Sequence, residues 1–450
     1  SMVGLKIACP LMVMRGDGSL VSSDFVKAKP IETILSGPAA SATGAAALNS
    51  ITEGVVVDIG GTTTDVATIT GGLPASAPSG ARIGGHETMV NAVRVHTEGI
   101  GGDSHIQPTP LDDKAISIGP RRVTPLVIAC SERPEVQVML EDQINRSVAR
   151  ESDGIYLWLL EHDWATQSTG EATIIAALQA SSVGRAYEDV VSSGLERNAL
   201  NRLIGLGIVG MTAFTPTDAA HVLGVDKRYP AEPAGLGSIL LARQLDRFGK
   251  PLASDGSLFA ELVLKLVSAG IAETILTAAA DHDGLPVAHL NSALKAQTHA
   301  ATRPGSRKFL DVTAEISGAV TAVGAPAVLH QDQLGLKLGT ECIVPEHSEV
   351  ANAYGAATGV IRLVKETVVS APRRGLFRVH AGEPSNYYDL KQAQAFAEQD
   401  AAAALGLGMA AAGSGEFVIS HDWEIHEALV ETRQLFVEAV LKSVAVGSPV

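Results

Sequence analysis

Apolar and polar positions along the chain alternate between strand-like and helix-like stretches. Leu11-Met12-Val13-Met14 predicts a short strand, stopped by the turn signal Arg15-Gly16-Asp17-Gly18. Ser36-Gly37-Pro38 opens an Ala-rich helix through Leu48, with Pro38 in its first turn and Ser36 or Gly37 as its cap. Val55-Val56-Val57-Asp58-Ile59 is a continuous apolar run ending in an acid, which predicts a buried strand. Gly60-Gly61 is a turn signal, Thr62 to Thr70 reads as the returning strand, and a second glycine turn follows at Gly71-Gly72. Residues 82–130 read as mostly β and residues 135–225 as mostly helical. Two helices are expected next, Leu236 to Phe248 and Leu258 to Ala279. Residues 308–330 and 340–365 return to a strand-then-helix order. Beyond a break at Pro372-Arg373-Arg374-Gly375 come a strand (Phe377 to His380), an Ala-rich helix (Leu390 to Ala412) and strands from Glu416 on. The expectation is an α/β protein divided at 1–134, 135–230 (a mostly helical insert), 231–371 and 372–450 (a small α+β domain).

Composition narrows the function classes. Of 450 residues, 46% are hydrophobic and only 4% aromatic, with Ala and Gly prominent, as suits closely packed helices in a globular protein. Lys and Arg number 34 against 49 Asp and Glu, a net charge of −15. That balance argues against nucleic acid, whose binding depends on neutralising phosphates. It leaves room for a single anionic ligand held by backbone amides and a metal ion. Cys9, Cys130 and Cys342 form neither a disulfide framework nor a zinc spacing, which points to a reducing, cytoplasmic setting. No apolar run approaches the ~20 residues that span a bilayer, so no membrane is expected. Ser1 ahead of Met2 reads as a scar of cleavage.

The strongest candidate chemistry is Asp58-Ile59-Gly60-Gly61-Thr62-Thr63-Thr64-Asp65. An acid ending a buried strand can meet a metal ion just outside the sheet. Two glycines let the backbone approach a phosphate, and turn amides and threonine hydroxyls can donate to its oxygens. No Gly-Lys-Ser/Thr follows, so this is not a Walker loop. A plain β-hairpin has the same spacing. Ile100-Gly101-Gly102-Asp103-Ser104 is another glycine turn carrying an acid and a hydroxyl. Val323-Gly324-Ala325-Pro326-Ala327, between a strand and a helix, would let a flat ring approach the backbone. Each of these two also fits an ordinary connection.

Read together, these segments carry a resemblance. Ser36-Gly37-Pro38-Ala39-Ala40, Asp58 to Asp65, Gly101 to Ser104 and Thr215-Pro216-Thr217-Asp218-Ala219 occur in one order. Val344-Pro345-Glu346-His347 and Asn352-Ala353-Tyr354-Gly355-Ala356-Ala357 complete it. That order resembles the hydantoinase/oxoprolinase family, in particular a hydantoinase A-type subunit, over most of the chain from about Pro10. The resemblance implies the actin and sugar-kinase-like ATPase superfold, in which two lobes clasp ATP and a metal ion. Residues 1–134 and 231–371 would then be two parts of one ATPase lobe. The family carries an Asp-Gly-Gly-Thr hairpin in each lobe. None precedes residue 58 here, so the first lobe is expected to be missing.

By this resemblance Asp58, Gly60, Gly61, Thr62, Thr63 and Asp65 bind nucleotide. Gly101, Gly102 and Ser104 complete the phosphate cradle, and Gly324, Ala325 and Pro326 lie near the adenosine. Asp58 and Asp103 are the candidate ligands for Mg2+ or another divalent metal; Asp103 stands where many members have a third glycine. The implied activity is ATP-dependent opening of a cyclic amide of hydantoin or 5-oxoproline type, with a hydantoinase B-type partner subunit. Alternatives are an ATP-dependent carboxylase subunit and a nucleotide-binding or assembly module without turnover. No catalytic base or nucleophile stands out.

Other features read as structural. Gly205-Leu206-Gly207-Ile208-Val209-Gly210 matches a dinucleotide loop by letter, but follows a helix pattern, Leu195 to Ile204, rather than a strand. The same helix pair followed by Gly-Ile-Val-Gly resembles a winged-helix wrapper without a basic recognition face. His421-Asp422-Trp423-Glu424-Ile425-His426 places residues 422, 424 and 426 on one strand face, where a polar surface is expected before a metal site. Asp281-His282-Asp283-Gly284 reads as a loop. Arg121-Arg122 could pair with an anionic group or cover a sheet edge. Asp218 is expected at a helix start.

Overall fold

The computed structural model describes residues 10–77, 80, 82–83, 86–88, 90–109, 115–298, 313–430 and 433–449. Cys9, the Ser1-Met2 start and the first residues of the strand expected from 308 lie outside the described residues. The fold is mixed α/β. The chain forms two compact units, one of residues 48–72 and 95–349, the other of residues 1–47, 73–94 and 350–450. These bounds do not coincide with the divisions at 134, 230 and 371.

The first unit is built on a mixed sheet. Glu53–Ile59 lies between Ala319–Val323, to which it runs parallel, and Thr64–Thr70, to which it runs antiparallel. Cys342–Ile343 extends the sheet on one side and Val95–Glu98 on the other. Val55, Val56 and Val57 are all buried, as expected of an unbroken apolar run in the middle of a sheet. The returning strand starts at Thr64, so Thr62 and Thr63 belong to the turn.

The helix Gly256–His282 packs against this sheet and against the helices Pro216–Val222, Glu232–Ala242, Val287–Thr298 and Ala327–Leu338. It buries Phe259, Val263, Val267, Ile271, Ile275 and Ala278, because neighbours cover it on several sides. Among the described residues this one helix is long and apolar enough to cross a membrane, which corrects the expectation that no such run exists. Within this unit it is the core helix. It begins earlier than the apolar pattern predicted because the Asp255 side chain accepts from the Leu258 amide and caps it. The helix Val287–Thr298 was not anticipated.

Residues 135–225 hold more than helices. Tyr156–Leu159 pairs antiparallel with Arg185–Ala186 and with Val209–Thr212. A four-residue apolar strand cannot be told from a piece of buried helix by periodicity, which explains the miss. The helix Gly194–Gly205 starts at a Ser193/Glu196 capping box, and Gly205 to Gly210 then runs from helix into strand, the reverse of a dinucleotide loop.

The second unit centres on an antiparallel sheet in the order Ser385–Tyr387, Leu376–His380, Ile361–Arg373, Arg433–Pro449, Ser414–Val430. The Pro372-to-Gly375 break is the turn joining two of these strands, not a gap between domains. The helix Leu390–Ala412 buries Ala393, Ala397, Ala401, Leu405 and Met409, a four-residue spacing that keeps apolar side chains on one face. The helix Ser36–Leu48 begins at Ser36 itself, after Leu35 at φ 61°, so Ser36 and Gly37 lie in its first turn rather than at its cap. It meets the helix Ala351–Thr358 at two glycines. A Cβ on Gly44 would lie 1.9 Å from the Ala351 oxygen, and one on Gly355 2.0 Å from the Ala40 oxygen. Asn352 Nδ2 donates to the Gly37 carbonyl at 2.9 Å. The Ser-Gly-Pro and Asn-Ala-Tyr-Gly segments thus form one helix crossing. His421 sits 2.8 Å from the Ser443 hydroxyl, and no group of three His, Cys, Asp or Glu suited to a metal occurs among the described residues.

Candidate functional site

The first unit gathers four separated segments at the carboxyl ends of its two central parallel strands, where ligands of open α/β sheets bind. Asp58 stands opposite Val323 on one side and Asp65 on the other. The chain then turns, with the Gly60 amide donating to the Thr63 carbonyl at 2.9 Å. The glycine turn at Gly101-Gly102 is bonded to this hairpin. Gly102 and Asp103 donate their amides to the carbonyls of Gly60 (3.0 Å) and Gly61 (2.7 Å). The Thr64 hydroxyl donates to the Ile100 carbonyl at 2.7 Å. A Cβ on Gly101 would lie 2.6 Å from both the carbonyl carbon and the oxygen of Gly61, so only glycine permits this approach.

Thr217 joins the site from a third segment: its amide and its hydroxyl both donate to the Gly102 carbonyl at 2.8 Å. The fourth segment enters at Gly324, whose φ of +92° suits glycine. A Cβ there would lie 2.3 Å from the Ile59 oxygen and 3.0 Å from Asp58 Oδ1. Beside Ala325 and Pro326 a cavity of about 520 Å³ opens, lined also by Thr217, Asp226, Arg228 and Leu329.

Hydrogen-bond accounting separates these parts. The amides of Gly61, Thr62 and Thr63 and the hydroxyls of Thr62 and Thr63 donate to no acceptor among the described residues. The half-buried Asp58 carboxylate accepts no hydrogen bond and pairs with no cation among them. Burial above all raises the Asp65 carboxyl above its ordinary range; the Thr97 hydroxyl, 2.5 Å away, opposes this and the Asp58 charge adds to it. Ser104, by contrast, is buried and committed: its oxygen accepts from the Gly101 amide at 2.8 Å. Its own amide donates to the Gly101 carbonyl. Asp103 is committed too, its Oδ2 accepting from Arg122 Nε at 3.1 Å and Nη2 at 3.0 Å. The 101–104 segment thus supports the hairpin through its own hydrogen bonds.

An open row of amides beside a bare carboxylate fits an anion accompanied by a hard cation. Such a cation takes one or two carboxylates and completes its shell with water and the anion's own oxygens, so Asp58 suffices without a dedicated cluster.

Asp218 was expected only as a cap, and it does more. Its fully buried carboxylate accepts from the Thr215 amide and hydroxyl and from the amides of Leu126 and Val127, at 2.8–3.1 Å. Burial pushes its pKa up to about 6 against the pull of these donors. The capping pattern of Thr215 and Asp218 was legible; the anchoring of Leu126 and Val127 was not, because nothing local marks so distant a partner.

Residues 2–148 match the model of the family hydantoinase/oxoprolinase. Those residues belong to the hydantoinase/oxoprolinase family. The hairpin at 58–65 and the turn at 101–104 fall inside the hydantoinase/oxoprolinase match, whereas Thr217 and Gly324 to Pro326 lie beyond it. Among solved structures, the chain is similar to nucleotide-free acetone carboxylase, with 13% identity and a TM-score of 0.52, over 98% of this chain and 53% of that one. It is also similar to an ATP-dependent caprolactamase from Pseudomonas jessenii, with 13% identity and a TM-score of 0.46, over 99% of this chain and 54% of that one. The chain spans about half the length of each. At such identity the likeness to acetone carboxylase speaks for the fold alone. No curated protein matches the chain.

Proposed function

We propose that this chain is the nucleotide-binding part of an ATP-dependent enzyme that opens a cyclic amide of hydantoin or 5-oxoproline type. The observation that carries this reading is the open row of amides at Gly61, Thr62 and Thr63 beside the unpaired Asp58 carboxylate. In this reading the sheet unit is one lobe of an actin and sugar-kinase-like ATPase. The amides and the Thr62 and Thr63 hydroxyls bind phosphate oxygens. Asp58 holds Mg2+, or a water bound to it, and Gly324 keeps the approach to Asp58 clear. Ala325 and Pro326 flank the cavity that takes the adenosine. Bound ATP supplies the phosphoryl group that activates the ring carbonyl oxygen. What the chain contributes is charge stabilisation by donors already aimed before the nucleotide arrives. A B-type partner subunit completes the hydrolysis. The fold shared with acetone carboxylase, whose reaction is ATP-dependent, agrees with this reading.

Calorimetry with Mg-ATP tests it. The wild-type chain is expected to bind, and Asp58→Ala to weaken binding by about 100-fold. Absence of binding by the wild type, or equal binding by the variant, overturns the reading. Phosphate release with hydantoin and 5-oxoproline, against a ketone with bicarbonate, then separates amide hydrolysis from carboxylation.

A further inference from the structure

A second cavity, of about 930 Å³, opens between the strands Ser104–Pro108 and Ile116–Arg122 and the helix Gly194–Gly205, and no hairpin residue lines it. Its size is that of a small-molecule site. Arg197, Asn201 and Ile204 line it from one helix face, at the i, i+4, i+7 spacing that stacks side chains. Arg121 lines it from the strand end. Its Nη2 donates to Asn201 Oδ1 at 2.8 Å, and burial lowers its pKa, so its charge is incompletely solvated. Among the described residues neither Arg121 nor Arg197 has a carboxylate partner. The other charges in the lining are largely accounted for. Arg122 is paired with Asp103, and Glu188 with Arg146 and Arg150, leaving Glu151 as the opposing charge.

A further observation points to a ligand. His105 lines the same cavity, is only 8% exposed, and makes no hydrogen bond with any described residue. With no protein partner, the imidazole is free to meet a molecule bound in the cavity. Burial, and next the Arg121 charge, lower its pKa to about 4, so the ring is neutral and can donate at one nitrogen and accept at the other.

We propose that this cavity is a second ligand site, separate from the Asp58 hairpin, that takes a small organic acid. Arg121 and Arg197 hold its carboxylate, and His105 meets a polar group on its body. The cavity is far larger than a bare anion, and Tyr187, Ile155 and Met211 offer surface to a carbon skeleton. Because none of the residues 58–65 lines this cavity, the proposal stands whether or not the hairpin binds ATP.

The test is calorimetry and ligand-observed NMR on the full chain with glutarate and benzoate, against glutaramide, benzamide and inorganic phosphate. The acids are expected to bind and their amides not. Arg121→Gln and Arg197→Gln should each weaken acid binding by about tenfold, the loss of one charge-assisted hydrogen bond, with partial recovery in Arg197→Lys. Arg197 is exposed, so its variants should keep the wild-type melting temperature, which separates loss of binding from loss of fold. Four results overturn the proposal: no preference for acids over amides, unchanged binding in both arginine variants, phosphate binding as well as the acids, or displacement of the acids by ATP.

Discussion

Among the described residues the amides of Gly61, Thr62 and Thr63 meet no acceptor, whereas those of Gly101, Gly102, Asp103 and Ser104 all do. The two turns lie against each other, and each has a glycine pair followed by polar residues. One is left unsatisfied at the carboxyl ends of parallel strands; the other uses its donors to hold the first in place. A buried or half-buried amide without a partner is costly, so a protein keeps a row of them only where a supporting turn makes the arrangement rigid. Glycine content alone therefore does not identify a phosphate site; the destination of each amide does.

The comparison can be broken most severely at the contact between the turns. Gly101→Ala places a methyl against the Gly61 carbonyl, and should cost about 3 kcal/mol or more in urea denaturation, with loss of ATP binding as well. Ser104→Ala removes the acceptor of the Gly101 amide in a buried setting. It should cost about 1–3 kcal/mol of stability while leaving ATP affinity within about twofold. Thr62→Ala should do the reverse: stability within about 0.5 kcal/mol, and ATP affinity lower by about three- to tenfold in calorimetry. If Thr62→Ala and Ser104→Ala behave alike, the division between an open and a supporting turn fails.

The smallest effect concerns Asp65. Its carboxyl is raised in the folded state, chiefly by burial, so in the window just above the ordinary carboxylate range the folded chain holds a proton that the unfolded chain has released. Stability should therefore fall as pH rises through that window. Asp65→Asn should flatten the slope, read from urea midpoints between about pH 4 and about pH 7.

Much of this site was legible where the signal was local. The apolar run into Asp58, the glycine pair and the returning threonines specify a strand, a turn and a strand by their own preferences. The pairing of that strand with Ala319–Val323 was not, because parallel partners are joined by long crossovers and share no turn signal. Nor was the role of Ser104: a hydroxyl after a glycine turn looks the same whether it faces a ligand or a neighbouring amide. Tyr156–Leu159 was lost in a helical reading for lack of length, and Asp218 showed its cap but not its hold on Leu126 and Val127. The Ser-Gly-Pro and Asn-Ala-Tyr-Gly segments meet as two faces of one helix crossing, which no local signal in either segment announces.

That crossing has a consequence for the order in which the chain is made. The helix Ser36–Leu48 is synthesised before Ala351 and Gly355, against which it closes; they follow roughly 300 residues later, or about 15–60 s at ~5–20 residues per second. During that interval the segment lacks its partner helix, while nearly the whole of the sheet unit emerges. The second unit can therefore close this crossing only after the residues of the sheet unit have been made.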